Sequence, residues 1–127
     1  MQWTRITRGD VEPVAVNKPY RDYVNFEIKL SAVPPDAWGR AFANPEGVEM
    51  SGGLRAPRLS GSTIYLSLPL TELEARVKEV DARIAFANDF YEKRVLPDLR
   101  REEAIQEEQR LADKALMDEA RNRAKNL

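Results

Sequence analysis

Residues 70–94 read LTELEARVKEVDARIAFANDFYEKR, the longest strongly periodic stretch in the chain. Leu73, Val77, Val80, Ile84, Ala87 and Tyr91 recur at alternating steps of four and three, which in a helix gathers them into one narrow stripe facing a core. Pro69 ends whatever strand precedes it and Thr71 is the candidate N-cap. Glu72 and Glu74 fall in the first turn, where the helix dipole favours negative charge. At about 100° per residue, Phe86 and Phe90 form an i, i+4 aromatic pair well away from that stripe. The helix is therefore expected to carry two apolar faces, of which a small sheet covers one. The second needs another cover: the chain's own C-terminal segment, another copy or a different protein.

Upstream, the clearest strand is Val24 to Ser31. Val24, Phe26, Ile28 and Leu30 alternate with Asn25, Glu27, Lys29 and Ser31, so one face is buried and the other wet. Pro34 and Pro35 stop it, and a short helix follows in which Trp38 and Phe42, at i, i+4, press onto the sheet. Asn44-Pro45 and Gly47 end that helix. Val48 to Met50 reads as the start of a further strand, joined through the Gly- and Ser-rich residues 51–61 to a strand in which Ile64, Leu66 and Leu68 alternate with Tyr65 and Ser67. Arg55 and Arg58 in the connecting loop are candidate anion ligands, though they lack a P-loop spacing or a helix N-terminus. Residues 1–23 predict one or two short strands, with Trp3 and Ile6 alternating, a turn at Gly9-Asp10, Val14 and Val16 alternating, and a break at Asn17-Lys18-Pro19.

Downstream, Pro97 removes a helical hydrogen bond, so the helix is expected to kink or end there. Residues 98–127 then resume with strong helix formers and no glycine or proline. Ala104, Ile105, Leu111, Ala112, Ala115 and Leu116 form a shallow stripe whose alanines permit close, coiled-coil-like approach of another helix. The chain reads as an α+β domain over residues 1–96, in the order β-α-β-β-α, with a small, mainly antiparallel sheet packed by one short and one long helix. A charged, alanine-rich helical extension occupies 97–127.

A chain of 127 residues is large enough to bury a core without staples. With 20 basic against 21 acidic side chains, nothing marks a generic polyanion binder. The chain has neither cysteine nor histidine. That excludes disulfides, thiolate metal sites, cysteine nucleophiles and the usual general base. The carboxylate pairs Asp98/Glu102 and Glu103/Glu107 sit in a run of alternating charge and read as a solvated helix face. No cofactor or metal is implied, no stretch is long enough to span a bilayer, and a cytoplasmic protein is expected.

The expected function is a non-enzymatic protein-interaction module, a homo-oligomer or a small subunit or adaptor of a larger assembly. Its contact residues would be Phe86, Phe90, Ile105, Leu111 and Leu116. The alternative is a nucleic-acid-associated protein using a small basic patch of Arg5, Arg8, Arg55 and Arg58 beside Trp3 or Tyr65. An enzyme independent of histidine and cysteine would require two of Asp22, Glu27, Lys29 and Tyr65 to meet in a pocket.

Overall fold

The computed structural model describes residues 2–20, 22–48, 52–53 and 56–127. Its strands are β1 (Arg8–Val16), β2 (Tyr23–Leu30), β3 (Arg58–Ser60) and β4 (Thr63–Pro69). Helix α1 (Asp36–Ala43) lies between β2 and β3. After β4 a 3₁₀ turn (Leu70–Glu72) leads into α2 (Leu73–Phe90), a π turn (Tyr91–Val95) and α3 (Leu96–Lys125). The four strands form one sheet in the order β1-β2-β4-β3, and every neighbouring pair is antiparallel. This is the expected α+β architecture with its long C-terminal helix.

The alternation in β2 and β4 sets the layers. Phe26 pairs with Leu66, Ile28 with Ile64 and Val24 with Leu68, and Phe26, Ile28, Leu30, Ile64, Leu66 and Leu68 are all buried against Trp38, Phe42, Val80, Ile84, Ala87 and Tyr91. Asn25, Glu27, Lys29, Tyr65 and Ser67 point the other way. Both helices thus lie on one face of the sheet. Gly61, at φ 60°, supplies the positive φ that the two-residue turn between Ser60 and Thr63 needs at its first central position.

Several local readings change. The β3–β4 hairpin closes through Gly61 and Ser62, not through a long loop, because β3 begins at Arg58 inside the stretch read as loop. The proposed strand start at Glu49 and Met50 falls outside the described residues, and Val48 is a bend. Gly9-Asp10 lies within β1, where a register shift between Arg8 and Val11 takes up an extra residue as a bulge. Trp3 and Ile6 precede β1 and pack onto the helix layer, so their spacing records no strand. Thr71 does not cap α2: the 3₁₀ turn intervenes and Glu72 holds the cap position, without a capping hydrogen bond from its side chain.

The helix continues through Pro97. Tyr91 and Leu96 are both core residues, five apart. In an α-helix five residues rotate by about 140°, which would turn one of them out of the core. The π turn restores the match: its i→i+5 pattern, seen in the bond from the Leu96 N–H to the Tyr91 carbonyl, stacks the two on one side. Pro97 then falls at the start of α3, where a missing N–H costs least.

Candidate interaction surface

Helix α3 is anchored only at its base. Leu96 is buried, and Val95 and Leu99 pack partly against the core. Trp3 lies over Tyr91 with ring centroids 4.4 Å apart, and its Nε1 donates to Glu92 at 3.0 Å. From Arg100 to Leu127 every residue is exposed. Ile105, Leu111 and Leu116 stand 53%, 52% and 66% exposed. Ion pairs along the shaft join Arg101 to Asp98, Arg110 to Glu107, Arg121 to Asp118 and Arg123 to Glu119. Each such solvated pair adds little on its own. Arg110 donates two hydrogen bonds to Glu107 and thereby holds that carboxyl below the usual glutamate range.

The base is tied to the rest of the domain by polar groups that the apolar pattern did not reveal. Asn88 is buried on α2 next to the Ile84/Ala87/Tyr91 stripe. Its Oδ1 accepts from the Ile6 backbone N–H at 3.0 Å and from Trp38 Nε1 at 2.9 Å, while its Nδ2 donates to the Ile6 carbonyl at 2.9 Å. One side chain therefore ties the N-terminal segment and α1 to the long helix. On the opposite flank Arg83 and Glu79 form a buried ion pair at 2.9 Å. Arg83 Nη1 donates to the Phe42 carbonyl at 3.0 Å, satisfying the end of α1, and the guanidinium lies 5.7 Å from the centre of the Phe42 ring. The signal for both was present: Asn88 follows Ile84 by four, and Glu79 and Arg83 are themselves four apart beside the stripe.

These polar groups also explain the second apolar face. Arg83 fills the arc between the main stripe and Phe86/Phe90, and Glu79 falls between the two phenylalanines, so α2 has one broad buried side in place of two separate ones. Sheet and α1 share the covering. Phe86 and Phe90, with ring centroids 6.1 Å apart, are half-buried at the edge of that side. With Glu46, Asp89, Lys93 and Arg94 they line a cleft of about 220 Å³. The structure thus brings the two phenylalanines together at the base of α3. Ile105, the first of the α3 contact candidates, stands fifteen residues beyond Phe90, about 22 Å along the axis.

The other candidate sites separate in space. Arg5 pairs with Asp89 and Glu92, and Arg8 with Asp81, so both lie against acids of the helix layer. The Asp81 hydrogen bond raises the pKa of Arg8 still further. Arg58 instead sits opposite Tyr65 on the β3–β4 edge, and Arg55 falls outside the described residues. Glu27 is the cross-strand neighbour of Tyr65, and the two share a shallow cleft of about 270 Å³ with Asn17, Asn25, Arg58 and Ser67 on the open face of the sheet. Lys29 pairs with Thr63 further along that strand pair. Among the described residues, no cluster of acidic side chains could hold a metal ion, and no helix is long and apolar enough to cross a membrane. Compared with known protein families, with curated proteins and with solved structures, the chain gives no match in any of the three.

Proposed function

We propose that the chain is a non-catalytic protein-interaction module, a self-assembling unit or a small subunit of a larger assembly, with α3 as its contact element. The observation that carries this reading is the run from Arg100 to Leu127, helical to Lys125 and exposed throughout, on a domain whose own core is closed. A helix gains most of its stability by burying an apolar face, and ion pairs on a solvated shaft supply only a part of that. The stripe of Ile105, Leu111 and Leu116 with its alanines is the face available for burial. The Phe86–Phe90 cleft at the foot of the shaft, rimmed by Glu46, Asp89, Lys93 and Arg94, offers a second, separate contact point nearer the domain.

Substituting Ile105→Lys, Leu111→Lys and Leu116→Lys together tests this. The substitutions lie outside the core, so the domain stays folded. The unmutated chain is expected to form a complex, seen as excess mass in light scattering or as a protein retained by the immobilised chain, and the triple variant to form none. An unmutated chain that is monomeric and retains nothing would overturn the reading.

A further inference from the structure

The charges along α3 are sorted by end. Residues 98–113 hold six acidic and three basic side chains, whereas residues 114–125 hold four basic and two acidic. On the apolar stripe itself each end carries one acid and one base. On the helical wheel its central residues Ala104, Ile105, Leu111, Ala112, Ala115 and Leu116 share one side with Asp98 and Arg101 at the N-terminal end, with Glu108 in the middle and with Glu119 and Arg123 at the C-terminal end. Each terminal set is already an ion pair, Asp98 with Arg101 at 3.3 Å and Glu119 with Arg123 at 2.7 Å.

Taking the interaction reading above as its basis, we infer that α3 pairs antiparallel with α3 of a second copy of this chain, with Ile105 of each copy opposite Leu116 of the other. At that register Asp98 meets Arg123 and Glu107 meets Lys114 of the second copy, while Arg101 lies beside Glu119. The two ion pairs at each end then join into a four-charge cluster of alternating sign, with the apolar residues and Glu108 of each copy between the clusters. A parallel, in-register pair would set Asp98, Arg101, Glu108, Glu119 and Arg123 each against its own copy, like charge on like. The antiparallel arrangement also opposes the two helix dipoles and places the globular domains at opposite ends of the shaft, where they do not collide. It is an isologous two-fold contact, so it closes at the dimer.

The lack of cysteine gives a clean test on the full-length chain. Two single-cysteine variants, Ile105→Cys and Leu116→Cys, are made with tags of different mass and oxidised separately and as a mixture. Antiparallel pairing predicts a disulfide between the two variants in the mixture and almost none in either alone, because like positions in the pair stand about 16 Å apart along the axis. Disulfides in each variant alone would show parallel pairing and overturn the proposal. The second arm reverses charges. Asp98→Arg with Arg101→Glu in one chain, or Glu119→Arg with Arg123→Glu in another, is expected to weaken self-association about tenfold or more, and mixing the two chains to restore it. Reversals without effect, or without rescue on mixing, would also overturn it. If the unmutated chain is monomeric yet its complex with another protein is lost in the Ile105→Lys/Leu111→Lys/Leu116→Lys variant, self-pairing fails and the interaction reading stands. A monomer with no complex overturns both.

Discussion

Asn88 does three jobs that no apolar residue of its size can do together: it accepts from a backbone N–H, accepts from an indole N–H and donates to a carbonyl, all out of contact with water. Asn88→Leu is expected to cost about 3–5 kcal/mol in chemical denaturation, because it strands all three partners. Asn88→Asp keeps the two acceptor bonds but sets a buried carboxylate against the Ile6 carbonyl, so it too should destabilise, and more at neutral pH than in acid. The Glu79–Arg83 pair behaves differently. Arg83→Met alone takes one of two arginines from Glu79, leaving Arg76 at 3.2 Å, and strips the Phe42 and Ala43 carbonyls at the end of α1 of their donor, an expected loss of about 2–3 kcal/mol. Adding Glu79→Leu should recover part of that, and a double-mutant cycle measures how much. On the shaft, the Glu107 carboxyl is held low by Arg110, so their attraction is fully present above the ordinary glutamate range and is lost as pH falls through the depressed folded value. Arg110→Ala should return the Glu107 titration, followed by carboxyl carbon chemical shift, to the ordinary glutamate position.

At the scale of elements, the long helix is governed by what its base must bury. Tyr91 and Leu96 both belong to the core, and only a π turn lets residues five apart share a side. Leu96→Ala is therefore expected to cost about 2–4 kcal/mol in the stability of the domain, as a core truncation does, although the residue lies at the edge of a projecting helix. The Lys substitutions at Ile105, Leu111 and Leu116, all on the exposed shaft, should change the unfolding free energy of the monomeric chain by only about 0.5 kcal/mol or less each. The contrast separates an anchor from a contact surface. Pro97 marks the junction without ending the helix because the irregular turn before it places the proline at a helix start.

For the whole molecule, the division of labour is between a closed two-layer domain and a shaft that makes no use of that domain's core. If two shafts bury each other, thermal stability of the shaft becomes concentration-dependent: its melting, followed by far-ultraviolet circular dichroism, should move up in temperature as protein concentration rises, while the domain transition stays fixed.

The amphipathic stripe of α2, the alternation in β2 and β4 and the short aromatic helix were all legible in the chain, because each follows from a local period that any buried face must have. So was the helical character of residues 98–125, written in propensity alone. What covers the Phe86 flank was not legible, since it depends on where the end of α1 comes to rest and on Arg83 reaching its carbonyls. The roles of Asn88 and of the π turn were equally hidden: a polar residue on an apolar stripe gains its meaning only from the groups, some eighty residues earlier in the chain, that the fold brings to it. Periodicity is a property of neighbours along the chain, and it fixed the elements. Hydrogen-bond satisfaction in a buried site belongs to neighbours in space, and only the folded arrangement decided it.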